Sequence, residues 1–402
     1  MNNILKLKTL FKELNNKNFL LLSFAFLLSL NQKWSTINLI LLVALSLINI
    51  KSFSFNNFKK FIPFIALYFL YAIAYFKDSY QFGMVMFEQK ASLIAIPIIF
   101  SVYKLDYDTF IKVLKVFVYG CLTTFIIYNL IAFYNSIHFA PFSFNPFITN
   151  ELNQEFDNVS ILLKNHFLAN NFIKSMNATF MSIYFCFAIY VVFYYKQYFK
   201  YYKLFVVLFT LGVLQIFSVI GFITLIIIFL IIFLKNFEKT ILIGTILCFI
   251  SIPVLVSSLS NNNLISKKLE QLDNRLIIWP NAFKTVSTDY LLGIGVKKGQ
   301  RSLESNYPLT GDFGYISQLK KIDAHNMMLQ FIIEIGIIGF IIFLISIYAL
   351  VSKNNTNHKI AITFSIITLL LYTTESAFTT YAGLSFFCFF YGIFISRITY
   401  EN

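Results

Sequence analysis

The sequence predicts an all-α, polytopic integral membrane protein with about twelve transmembrane helices. Three observations predict it. Of 402 residues, 58% are hydrophobic and 12% charged, with a mean hydropathy of +0.72. A soluble domain runs nearer half apolar and a quarter charged. The apolar residues gather into runs approaching the roughly 20 needed to cross a bilayer. The basic residues sit between alternate runs. This composition excludes ordinary cytosolic enzymes, nucleic-acid binders and disordered chains. Fifty Phe and 24 Tyr suit lipid-facing and interfacial positions.

The elements follow in order. A basic start (Lys6, Lys8, Lys12, Lys17) leads into a first run at 19–32 with no small-residue cleavage site, so it reads as a retained helix. Runs at 36–50, 61–76, 91–103 and 113–134 come next, then a long loop near 135–175. Runs at 176–195, 204–217, 219–234 and 240–258 follow, with only Ser218 between the second and third of these. A second long loop spans 259–325, and runs at 326–351, 360–374 and 382–396 close the chain. The expected organisation is helices 1–9 in residues 1–258, a large external loop at 259–325 and helices 10–12 in 326–402, in one integrated domain.

With the N-terminus inside, the cytoplasmic segments hold Lys51, Lys59, Lys60, Lys104, Lys112, Lys115, Lys196, Lys200, Lys203, Lys235, Lys239, Lys353, Lys359 and Arg397 besides the basic start. The short outer loops hold only Lys33, Lys77 and Lys90. The positive-inside rule selects this orientation, with both termini cytoplasmic and both long loops outside. The net charge of +14 is therefore largely a topology signal, and nucleic acid loses its support as a partner.

Candidate chemistry concentrates late in the chain. Cys121, Cys186, Cys248 and Cys388 lie in apolar runs without metal or disulfide spacing and read as small buried residues. Glu334 is the clearest intramembrane ionisable residue, a functional hypothesis by default. Asn326, Gln330 and Glu334 stand four apart on one helical face, which either lines a wet cavity or makes a polar contact between helices. The second outer loop carries Arg275 and Arg301 with Lys267, Lys268, Lys284, Lys297, Lys298, Lys320 and Lys321. An anionic lipid head group suits that loop, because arginine binds phosphate oxygens through a planar fork. His325 sits at the start of the following span; it is either a base for an attacking hydroxyl or a helix-end contact. Gly293-Ile294-Gly295 resembles a phosphate-cradling turn, yet no strand–helix context supports a nucleotide site. Glu375 follows the eleventh span on the outer side, where it is either a solvated loop carboxylate or part of a site. The first long loop, with Glu151, Glu155, Asp157, His138 and His166, has a composition suited to an interfacial helix and carries no assigned chemistry.

The order Asn274-Arg275, Trp279, Ala282, Leu292-Gly293-Ile294-Gly295, Ala324-His325-Asn326, Leu329-Gln330 and Glu334-Ile335-Gly336-Ile337-Ile338-Gly339 resembles the core signature of the O-antigen ligase and polymerase superfamily. Glu88-Gln89-Lys90 before Leu93 and Pro97, and Thr374-Glu375-Ser376, look like further family features. The resemblance implies a bacterial inner-membrane glycosyltransferase with a periplasmic active site, using an undecaprenyl-diphosphate-linked glycan as donor. The implied acceptor is lipid A–core for a ligase, or a lipid-linked glycan for a polymerase. No cofactor and no metal are implied. Arg275 maps to the loop arginine that contacts the diphosphate, and His325 to the base. Asn326, Gln330, Glu334, Trp279 and Glu375 take supporting places. An arginine that the family often carries is missing from Phe217-Ser218-Val219-Ile220-Gly221, leaving Arg301, Lys297 or Lys298 to substitute. A second is missing from Thr379-Thr380-Tyr381. A lipid-linked glycan transporter, with charges buried along a central cavity in several spans, is the reading from a different class.

Overall fold

The computed structural model describes residues 17–77, 85–139, 142–146, 165–173, 176–233, 275, 278–286, 289–307, 323–352 and 358–396. The helices are α1 (Lys17–Leu30), α2 (Gln32–Ile48), α3 (Phe55–Phe58), α4 (Ile62–Lys77), α5 (Val85–Lys90), α6 (Ser92–Val102), α7 (Tyr107–Asn135), α8 (Ala169–Phe172), α9 (Ala178–Tyr194), α10 (Tyr202–Ile216), α11 (Val219–Phe233), α12 (Val296–Asn306), α13 (Met327–Val351), α14 (His358–Tyr372) and α15 (Tyr381–Ile395). The chain is a helical membrane protein. Three helical stretches, Phe55–Phe76, Tyr107–Asn135 and Met327–Val351, are long and apolar enough to cross a bilayer. The remaining apolar helices are shorter, at 10–17 residues. Every apolar run read from the sequence coincides with a helix except 240–258, which lies outside the described residues.

The first long loop, whose composition suits an interfacial helix, is described only in part, with residues 147–164 outside the described residues. Its described part is an antiparallel hairpin, Ile137–Phe139 against Phe142–Phe144, followed by the single turn of α8. Glu151, Glu155 and Asp157 lie outside the described residues.

Helix starts follow local chemistry. The Asn31 side chain accepts from the Lys33 and Trp34 amides and opens α2. Asp106 does the same for α7, accepting from the Thr109 amide at 2.6 Å.

The chain forms two compact units. The first comprises residues 1–123, 338–366 and 377–402. Its central element is α15, buried around its whole circumference, as expected of a helix apolar on all sides. Rings of α15 meet rings of other helices: Phe389 meets Phe24, Tyr391 meets Phe64, and Phe390 meets Phe117, with centroids 4.2–4.9 Å apart. Gly392 lets α15 approach α6, since a Cβ there would meet the Phe100 ring. Lys90, expected in a short outer loop, is instead 3% exposed; its Nζ donates to the Phe378 carbonyl and lies 4.4 Å from the Tyr71 ring centroid.

The second unit comprises residues 124–337 and 367–376. Its helix α9 is the counterpart of α15, buried on nearly every side and packed on α10 and α11. Gly212 gives space to the Phe185 ring, and Gly221 to Ser182. A separate apolar core joins the late loop to the first half of α13: Ile278, Ala282, Leu303, Tyr307, Ala324, Leu329 and Ile333.

Candidate active site around His325

Everything that positions this site lies within the second unit. Helix α13 starts at Met327, and the Asn326 carboxamide oxygen caps it by accepting from the Met328 and Leu329 amides at 2.9 and 3.1 Å. The Asn326 Nδ2 donates to the Thr373 carbonyl at 3.3 Å. Gln330 reaches back: its Oε1 accepts from the Ala324 amide at 3.0 Å, while its Nε2 donates to Glu334 Oε1 at 2.7 Å. The stripe Asn326–Gln330–Glu334 is therefore a brace. It fixes the two ends of the 324–326 turn to α13 and to the turn after α14. Glu334 is 2% exposed, so its contacts are made inside the protein.

His325 rides on that braced turn. Its φ of 42° lies in the left-handed region, which costs an L-residue roughly 1–2 kcal/mol. Asp323 stabilises it, the carboxylate accepting from the His325 amide at 2.9 Å. Strain of this kind is kept where the surroundings over-determine the backbone, and such places are often functional.

Two carboxylates face one imidazole nitrogen. Nδ1 of His325 stands 3.8 Å from Asp323 Oδ1 and 3.7 Å from Glu375 Oε2. These are ion-pair distances, longer than a direct hydrogen bond. They favour the tautomer with the proton on Nδ1, leaving Nε2 as the acceptor. Burial pulls the imidazole pKa down; Glu375 and Asp323 pull it up against the Arg275 guanidinium, and the net shift is upward from 6.5.

Glu375 has a second partner. Its Oε1 lies 3.9 Å from Arg275 Nη2, which donates to the Thr374 carbonyl at 3.1 Å. Burial lowers the Arg275 pKa, and Glu375 opposes it. Such a group keeps its charge throughout the working pH range. Among the described residues Arg275 donates this one hydrogen bond. Arg275 and Glu375 side chains are 20% and 14% exposed, and His325 is 39% exposed, so the imidazole is the open face of the cluster.

The other expected residues fall elsewhere. Lys297, Lys298 and Arg301 stand on α12, whose buried face is Gly299 and Leu303; Gly299 backs onto Ile333. The cluster of Arg275, His325, Asn326 and Glu375 is made without them. Trp279 packs on the apolar core, with a buried Nε1 that has no hydrogen-bond partner among the described residues. Lys267, Lys268, Asn274, Lys320 and Lys321 lie outside the described residues. Asp323 was not anticipated; an acidic residue two positions before a helix-start histidine is the signal that points to it.

The Gly293-Ile294-Gly295 turn is held by backbone contacts to a helix. Its backbone docks on α13: the Ile294 amide donates to the Ile333 carbonyl at 2.8 Å, and the Ile337 amide donates to the Tyr290 carbonyl at 2.8 Å. Gly336 breaks the helix there, with φ 73° and ψ −177°, a region open essentially to glycine alone. A Cβ on Gly293 would come within 2.6 Å of the Glu334–Gly336 backbone, and one on Gly336 would strike the Leu291 carbonyl. Gly293 and Gly336 thus serve one backbone-to-backbone junction. No group of three His, Cys, Asp or Glu side chains with metal-holding geometry stands among the described residues.

A family model described as O-Antigen ligase matches residues 217–344, roughly a third of the chain. The match takes in Arg275, Asp323, His325 and Glu334; Glu375 lies beyond it. No curated protein matches the chain. Over residues 217–344 this chain is similar to the O-antigen ligase family.

Proposed function

We propose that this protein is an O-antigen ligase-like glycosyltransferase, moving a glycan from a polyprenyl diphosphate onto an acceptor hydroxyl of lipid A–core. The site would face the periplasm across the bacterial inner membrane. One observation carries the proposal: Glu375 lies within ion-pair distance of both Arg275 and His325, so an anion-binding fork and a base share one support. Nε2 of His325 takes the acceptor proton as the hydroxyl oxygen attacks the anomeric carbon. The carbon–oxygen bond to the diphosphate breaks, and Arg275 stabilises the charge of the leaving group. Direct displacement inverts the anomeric centre. The donor already carries its leaving group, so positioning and charge stabilisation suffice. Because Glu375 neutralises Arg275, a diphosphate requires further cations, and Lys297, Lys298 and Arg301 on α12 are the described candidates.

Deleting the gene and resolving the cell's lipopolysaccharide on a gel tests the reading. The expected profile is core without O-antigen, together with accumulated lipid-linked polymer. Core bearing a single repeat would instead assign a polymerase, and an unchanged profile would sink both. In complementation, His325→Ala at wild-type protein level should restore no transfer. Arg275→Ala should behave alike and Arg275→Lys should rescue only in part, since the ammonium lacks the fork.

A further inference from the structure

The late loop, expected to stand wholly outside the bilayer, contains a segment bonded into a membrane-spanning helix. Residues 289–295 join α13 at Ile333 and Ile337. Helix α13 is one of the three stretches long and apolar enough to cross a membrane. The break at Gly336 lies nine residues beyond its start, about 13 Å along the axis at 1.5 Å per residue. The turn therefore runs beside the apolar span, within its length.

Its side chains fit that depth. Tyr290, Leu291 and Leu292 are 58%, 51% and 43% exposed, and Ile337 at the junction is 38% exposed. Consecutive large apolar side chains left uncovered mark a site of interaction with membrane or partner. The backbone fits too. Hydrocarbon offers no partner to an amide or a carbonyl, so irregular backbone survives at membrane depth only when protein satisfies it. Here the satisfaction is reciprocal: the helix break leaves the Ile333 carbonyl and the Ile337 amide without helical partners, and Ile294 and Tyr290 supply them. Directly after the turn, the first turn of α12 carries Lys297 and Lys298, followed by Arg301 about one turn later. Basic side chains so close to an apolar tip suit anionic lipid head groups at the interface.

We propose that residues 289–295 form a re-entrant turn whose tip, Tyr290-Leu291-Leu292, lies among the acyl chains of the bilayer and anchors α12 at head-group level. The proposal is independent of the transfer chemistry.

The test places nitroxide spin labels on Leu291→Cys, Leu292→Cys and, as an exposed reference on α12, Ser305→Cys, in the full chain carrying Cys248→Ser and reconstituted into phospholipid vesicles. Cys121, Cys186 and Cys388 are buried. Collisions are measured with oxygen, which concentrates in hydrocarbon, and with a water-soluble nickel chelate. Labels at 291 and 292 should collide with oxygen several-fold more than with nickel, and the label at 305 should show the reverse. Nickel access at 291 and 292 equal to that at 305 would put the tip in water and overturn the proposal. Low access to both reagents would mean that protein, such as a second copy of the chain, covers the tip, and would overturn it equally.

Discussion

At the scale of single residues, the candidate site turns on one carboxylate shared between a guanidinium and an imidazole. Burial lowers the His325 pKa, but Glu375 and Asp323 more than offset it, so the neutral imidazole that the proposed proton abstraction needs predominates only above a pH higher than 6.5. The rate of transfer should therefore rise through an acid limb displaced upward from that value. Glu375→Gln removes a charge that raises the pKa and leaves the burial that lowers it. Its acid limb should move to lower pH, while its plateau falls because Arg275 and His325 lose their common support. A pH profile of glycan transfer in reconstituted vesicles checks this, and an unmoved limb would separate Glu375 from the base. For stability the sign is opposite. A histidine with a raised folded pKa contributes fully below its unfolded pKa, and the contribution is lost as pH rises through the folded one. His325 and Arg275 were legible in the sequence because histidine and arginine are rare here and ionisable groups near spans are costly. The link through Glu375 was not, because 50 residues separate it from His325 and only the fold brings them together. Nor was the left-handed backbone of His325, which depends on Asp323 and on the cap at Asn326.

At the scale of elements, the glycine pattern was visible but its purpose was not. Gly293 and Gly295 read as a possible phosphate-cradling turn and Gly336 as part of a family signature, whereas the structure uses Gly293 and Gly336 for a junction between a turn and a broken helix. Periodicity could not show the break, because residues 327–351 are apolar apart from the Gln330 and Glu334 stripe and Ser346, a pattern that suits an unbroken span. Gly336→Ala puts a Cβ against the Leu291 carbonyl and forces an L-residue into a glycine-only region. The cost should be at least about 1–3 kcal/mol. Detergent-solubilised Gly336→Ala should accordingly unfold at lower temperature than the parent. The control Gly339→Ala, at a position where φ is not positive, should cost less. Equal melting temperatures for parent and Gly336→Ala would show that the helix can run straight and the turn detach. Glu334 gains its meaning at this scale too. Two residues before the break, it anchors Gln330, and through Gln330 the turn that carries His325.

For the whole molecule, composition foresaw the helical membrane class, and among the described residues helices coincide with the apolar runs. The sequence-read charge balance needs one revision: Lys90 is buried against Phe378 and Tyr71, so it is a packing cation rather than a loop charge. Its removal from the short outer loops sharpens the asymmetry on which orientation rests, since the positive-inside rule counts exposed short-loop charges near span ends. Lys196, Lys200 and Lys203 crowd the short connection from α9 to α10 and should hold it in the cytoplasm. Alkaline phosphatase, active only outside the cytoplasmic membrane, reports the result. Fused after Ser305 it should be active, and fused after Tyr198 or at the C-terminus it should be inactive. The reversed pattern would place Arg275, His325 and Glu375 on the cytoplasmic side. The proposed transfer from an externally displayed carrier would then fail on topology alone, however well the three side chains were arranged.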